Sequence, residues 1–268
     1  MKFGLPTLIE CRDVRECSDL ALSLGLDFVE INMSFPQYLP QALSVSSLDR
    51  LRTESGIDYT VHMNETVDPF DYDLDVSAAC FKVAEKTIAF ARALGIRVVN
   101  MHLLPGVYVT LPDRRVYLHD TYLDEYSDKV RRFGEMCACA VGDSNLKICI
   151  ENTDTPKNGW TSACRAAIDC LMDYDVFGLT LDTGHDFIAD HGDMDVFDKY
   201  RDRIYHMHLH DASHDRGAHL ALGNGGVDIN GMLGMARERD ASCLIEVKTV
   251  AGLNESAEYL QKRGYIGS

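Results

Sequence analysis

Eight short apolar runs alternate with helix-patterned segments along the chain, and that alternation constrains the fold more than any other feature. The runs lie at residues 2–6, 27–33, 57–63, 96–104, 146–152, 177–182, 204–209 and 241–247. Between them, apolar residues recur at helical spacing: residues 14–24 before Gly25, a segment ending at Gly56, and a long one from Val76 to Gly95 with Cys80, Val83, Ala84, Thr87, Ala91 and Leu94 on one face. Further helices are predicted at residues 124–141, 162–172 and 255–263. Strand–helix alternation without a low-complexity linker predicts a parallel sheet. Eight such units predict an α/β fold, a single (β/α)8 TIM barrel over residues 1–268. After the fourth run, GVYVTLPDRRVYL reads as a β-hairpin inserted above the C-terminal edge of the sheet, residues 107–118, with Arg114 and Arg115 at its tip. Its length and position predict a lid.

Six of the eight runs finish at or next to a residue able to bind metal: His62, His102, Glu151, Asp182, His208 and Glu246. In a closed parallel barrel, strand ends of one polarity gather at one mouth, where such folds place their chemistry. The seventh run, IYHMHLHD, is the densest case. Its period-two pattern puts His206, His208 and His210 on one face, and spacing alone leaves open which of the three would coordinate. Glu10, Glu30 and Glu65 also lie near strand ends, where they could bind substrate, and read first as capping or solvated residues. His119, His191 and His214 read as surface or loop residues.

The rest of the composition excludes more than it assigns. No apolar run reaches the roughly 18 residues needed to span a membrane. The start, MKFGLPTLIE, lacks the basic-then-apolar pattern of a signal peptide, so a cytoplasmic location is expected. Nine cysteines without a CxxC pair predict reduced core thiols rather than a disulfide framework. A formal net charge of −16 repels a phosphate backbone and disfavours a nucleic-acid partner.

Glu151, Asp182, His208 and Glu246 come from the last four strands, so one ion could be shared among them. Three carboxylates and an imidazole suit Mn²⁺, Mg²⁺, Co²⁺ or Zn²⁺. His62 and His102 could complete a second ion with Glu151 as the bridge.

The motifs IENT with Glu151, LDTGH with Asp182 and His185, HMHLHD with His208, His219 ahead of LGNGG, and LIEV with Glu246 resemble the xylose isomerase-like TIM-barrel superfamily. That superfamily includes sugar isomerases and epimerases and the endonuclease IV-like proteins of AP endonuclease family 2. Resemblance to the epimerase branch implies one divalent ion on Glu151, Asp182, His208 and Glu246. It also implies proton transfer beside a carbonyl by Glu151 and Glu246, and a substrate hydroxyl on His185. The substrate would be a small sugar, polyol or sugar phosphate, and a homo-oligomer is compatible with the branch. One departure is His214 where those epimerases carry an arginine, with Arg216 two residues on.

Resemblance to the endonuclease branch implies up to three zinc ions for phosphodiester hydrolysis. His62, His102 and Glu151 would hold one, Glu151, Asp182, His208 and Glu246 the second, and His185 and His219 part of the third. Gly217 stands where that branch has an aspartate. The third ion is therefore expected to rest on two imidazoles and solvent.

Overall fold

A computed structural model describes residues 1–153 and 159–267. The described elements, in order, are β1 (Phe3–Pro6), α1 (Val14–Ser23), β2 (Phe28–Asn32), α2 (Val45–Ser55), β3 (Asp58–His62), α3 (Leu74–Ala93), β4 (Val98–His102), β5 (Tyr108–Thr110), β6 (Arg115–Tyr117), α4 (Leu118–Thr121), α5 (Leu123–Val141), β7 (Lys147–Glu151), α6 (Ser162–Leu171), β8 (Phe177–Asp182), α7 (Thr183–Ile188), α8 (Met194–Lys199), β9 (Ile204–Leu209), β10 (Asp211–Ser213), β11 (Gly217–Leu220), α9 (Ile229–Arg239), β12 (Ser242–Ile245) and α10 (Val250–Lys262). Eight parallel strands close in the order β1-β12-β9-β8-β7-β4-β3-β2, which is a (β/α)8 barrel.

Local chemistry sets the boundaries. Asp13, Ser44, Asp73 and Thr161 cap α1, α2, α3 and α6 by accepting a backbone N–H in the first turn, and α2 ends on Gly56 in the left-handed conformation. β5 and β6 pair antiparallel through Tyr108 and Tyr117, forming the hairpin expected after the fourth strand. The polar segment after β9 forms a second ribbon, of β10 and β11.

Alternation along the strands divides the packing. Val29, Ile31, Val61, Val99, Met101, Ile148, Ile150, Leu179, Leu181, Met207 and Leu209 point outward and build the core beneath the helices. The other phase fills the barrel. There Glu30, Thr60, Asn100, Thr180, His206 and His208 occupy positions that such barrels usually fill with branched apolar residues. A register shift between β8 and β9 makes this possible. Leu179 pairs with Ile204 but Thr180 pairs with His206, so Tyr205 is an extra residue. Without it, His206 and His208 would share the outward phase of Ile204.

All nine cysteines are unpaired thiols. Burial pushes Cys149, Cys164 and Cys243 up to about 12, so they remain neutral filler. Among the described residues no helix is long and apolar enough to cross a membrane.

Candidate metal centre

Six strand-end residues meet at the C-terminal mouth. Glu151 is the hub: its Oε2 lies 3.2 Å from His62 Nε2 and 3.4 Å from His102 Nε2, and its Oε1 lies 3.0 Å from His208 Nδ1. Asn100 donates to Glu151 Oε2 as well. His208 Nδ1 also faces Glu246 Oε2 at 3.2 Å and Asp182 Oδ2 at 3.9 Å. One ligand atom from each of Glu151, Asp182, His208 and Glu246 falls within 4.8 Å of the others, and so does one from each of His62, His102 and Glu151. The geometry thus brings together all six residues and places Glu151 between the two groups.

The strands that carry these side chains are locked at their ends. Asp182 N donates to Asn152 Oδ1 at 2.8 Å, while Asn152 Nδ2 donates to the Asp182 carbonyl at 3.0 Å, tying β7 to β8. Asp182 also caps α7, accepting from the His185 N–H at 2.7 Å. Gly184 leaves room for the His210 ring, because a Cβ there would lie 1.9 Å from His210 Cε1.

Three carboxylates buried together need positive charge. Burial disfavours the ionised form of Glu151, but His208 and His102 outweigh it and hold the carboxyl well below the usual range. Glu246 is held down in the same direction by His208 and Lys248, against burial. The reciprocal effect raises His208 well above its usual value and His62 to about 9, with Glu151 outweighing burial in both. Among the described residues, Glu246 Oε2 is buried without a hydrogen-bond donor. A carboxylate oxygen without a donor, beside two more carboxylates and an imidazole nitrogen, fits a divalent cation.

The third expected group differs from its sequence reading. His185 and His219 are joined by His210, the three offering nitrogens within 4.8 Å of one another. Yet His210 is already engaged on both sides. The His219 N–H donates to His210 Nδ1 at 2.9 Å, and His210 Nε2 lies 2.9 Å from Asp182 Oδ1. With Nδ1 accepting the His219 N–H, the ring proton sits on Nε2 toward Asp182, whereas the Asp211 carbonyl, 3.2 Å from Nδ1, is an acceptor for a proton held there. Burial opposes a charge on His210, but Asp182 and the Asp211 carbonyl outweigh it and raise its pKa. Burial pushes His219 down to about 4, leaving that ring neutral.

Two sequence readings are corrected. Glu30 is neither a cap nor solvated: it is 2% exposed inside the barrel, where its carboxylate faces His206 and His208. His119 is no surface residue, because α4 turns it inward to stack on Tyr126 at 4.3 Å with Asp68 at 3.6 Å. Glu10 does cap, accepting the Val250 N–H at 2.6 Å at the start of α10, and His191 and His214 are exposed. Glu65 is partly buried and accepts from Asn32 at 2.7 Å. Lys248 was not anticipated; half exposed, it lies 2.6 Å from Glu246 Oε1 at the rim.

The sequence pattern of the xylose isomerase-like TIM barrel matches residues 18–263. The chain belongs to this family. No curated protein matches it. Among solved structures, a D-tagatose 3-epimerase-like protein is 22% identical with a TM-score of 0.76, covering 98% of this chain and 96% of that one. The 3-keto-D-glucoside 4-epimerase YcjR from E. coli is 16% identical with a TM-score of 0.75, over 98% and 99% of the two chains. The IolI protein with a binding zinc atom is 15% identical with a TM-score of 0.72, over 98% and 97%. At these identities the likeness is one of fold.

Proposed function

We propose that the chain is a divalent-metal-dependent isomerase or epimerase of a small sugar, polyol or sugar phosphate. The observation that carries this reading is the pair of glutamates that converge on one imidazole nitrogen, Glu151 Oε1 and Glu246 Oε2 at 3.0 and 3.2 Å from His208 Nδ1. Glu151, Asp182, His208 and Glu246 would hold the ion. Bound there, a divalent ion supplies a Lewis acid for the carbonyl and hydroxyl oxygens of the substrate. Glu151 and Glu246 are the acid–base pair: one takes the proton from the carbon beside the carbonyl and the other returns one. His185, 8% exposed, would bind a substrate hydroxyl. The epimerase neighbours support this reading through shared fold.

The bridging position of Glu151 favours a second reading, zinc-dependent phosphodiester hydrolysis of the endonuclease IV type, because His62 and His102 could hold another ion on the same carboxylate. Against it stand the two existing contacts of His210, which a third ion would have to break, and the net charge of −16.

Incubation of the metal-loaded protein in deuterated water with a panel of ketoses and aldoses separates the two. The expected result is deuterium entering the carbon next to the carbonyl, with no incision of an abasic duplex in added zinc at low salt. Incision that disappears in His219→Ala, without any exchange, would move the function to the hydrolase.

The hairpin of β5 and β6 is proposed as a lid on the same substrate. It follows β4 directly, and its root is fixed where Tyr72 donates to the Leu118 carbonyl at 3.3 Å. Excising it is expected to raise the Michaelis constant at least several-fold, because a lid contributes binding and excludes water. Steady-state kinetics that match the intact protein would rule the lid out.

A further inference from the structure

Glu30 belongs to none of the expected ligand groups, yet it is buried against one of the ligands. Its Oε1 lies 3.2 Å from His208 Nε2 and its Oε2 lies 3.3 Å from His206 Nε2. Thr60 Oγ1 donates to Oε2 at 2.9 Å, and His206 Nδ1 lies 2.6 Å from Ser242 Oγ. Neither Nε2 makes a hydrogen bond of full geometry among the described residues, and at 3.2 and 3.3 Å the Glu30 carboxylate is the acceptor that each faces. The carboxylate, contributed by β2, reaches across the barrel interior to β9. A buried carboxylate is costly unless its oxygens are matched by donors, and here two rings and a hydroxyl surround it.

We propose that Glu30 is the positioning residue that fixes the ring and tautomer of His208 for the ion. This rests on the reading that Glu151, Asp182, His208 and Glu246 hold a divalent ion. An imidazole offers a lone pair to a metal through one nitrogen only when the proton stays on the other. In His208 the two nitrogens have opposite surroundings. Nδ1 faces Glu151, Glu246 and Asp182, whereas Nε2 faces Glu30. A carboxylate at Nε2 keeps the proton there and leaves Nδ1 for the ion. His206 and Thr60 hold Glu30 in turn, so the ring is set from β2, β3 and β9 together.

The group of Glu30, His206 and His208 could also be read as an ion site of its own, since its ligand atoms lie within 4.8 Å. That arrangement would take Nε2 of His208 and put the proton on Nδ1. The lone pair would then be removed from the side where three carboxylates converge. One ring cannot serve both ions without losing both protons, so the two roles exclude each other, and the carboxylate-rich side favours the first.

The test is titration of metal-free protein with Co²⁺, read by calorimetry and by the visible absorption of the bound ion. Glu30→Gln is expected to raise the dissociation constant about 10–100-fold and to change the Co²⁺ spectrum, as loss of an outer carboxylate does at other metal sites. Glu65→Gln removes the same charge near the mouth without touching His208, and is expected to shift the constant by about twofold or less and to keep the spectrum. Thr60→Val keeps the carboxylate but removes its hydroxyl donor, and is expected to weaken binding several-fold; it decides the matter if Glu30→Gln does not fold. Wild-type affinity and spectrum in Glu30→Gln would overturn the positioning role while leaving the functional reading intact. Loss of one whole ion with the affinity of the rest unchanged would overturn it too, in favour of a site on Glu30 itself. A wild-type protein that holds no ion would remove both the functional reading and this one.

Discussion

Replacing Glu246 with glutamine is expected to lower turnover by about 10³–10⁴-fold and to weaken metal binding, the largest effect of any single substitution in the molecule. Two losses combine. Its Oε2 is buried without a hydrogen-bond donor among the described residues and lies 3.2 Å from His208 Nδ1, so an amide there removes an anionic ligand from a place where a cation fits. The amide also cannot accept a proton from carbon. The substitution is nearly isosteric and leaves the 2.6 Å Lys248 contact to Oε1 available to an amide oxygen, so folding should survive. Turnover measured at saturating metal isolates the acid–base loss from the ligand loss, and calorimetry reports the latter alone. Full activity at saturating metal would remove Glu246 from proton transfer and leave it, at most, a ligand.

Much of this site is legible in the sequence because its residues terminate strands. A residue at the end of a period-two run has its direction set by the run, and strand ends of a parallel barrel converge, so His62, His102, Glu151 and Asp182 could be placed together without any contact information. Glu30 has the same phase as Asn32 in β2, yet it read as a capping or solvated acid. What buries it comes from β9, brought near only when the barrel closes, and no local pattern announces a carboxylate that reaches across the interior. The role of His210 was hidden for a related reason. Its partners are Asp182 and the N–H of His219, and the latter belongs to the ribbon of β10 and β11, whose short strands read as loop. His219 itself adopts a left-handed φ of 59°, a conformation more often seen at glycine. Lys248 carried no signal in the sequence because its role depends on the carboxylate two residues before it. His119 looked exposed because the single turn that buries it, α4, is too short to carry a helical pattern.

The second large effect concerns pH and the ion together. In the metal-free protein, stability is expected to decline as pH rises from about 6.5 to about 9, and a divalent ion is expected to reverse most of that decline. The sign follows from His62. Burial opposes its charge, but Glu151 outweighs burial and raises the folded pKa from 6.5 to about 9. The folded state therefore binds this proton more tightly than the unfolded chain. Its stabilising contribution is full below pH 6.5, shrinks through the window and is absent above about 9, a difference on the order of 3 kcal/mol. Glu151 and Glu246 act in the opposite direction, since their lowered pKa values stabilise the fold above about pH 4.5 and cease to do so in acid. For these three groups taken alone, all the stabilising contributions are present together between about pH 4.5 and 6.5. A bound divalent ion supplies the positive charge that His62 otherwise gives to Glu151, and at a thousandfold excess over its dissociation constant it adds about 4 kcal/mol. Melting temperatures taken from pH 5 to pH 9.5, with chelator and with excess Mn²⁺, should diverge toward the alkaline end, and His62→Gln should flatten the chelator curve. A chelator curve that is already flat between pH 6.5 and 9 would show that His62 carries no proton in the metal-free fold, and the charge balance drawn around Glu151 would have to be abandoned.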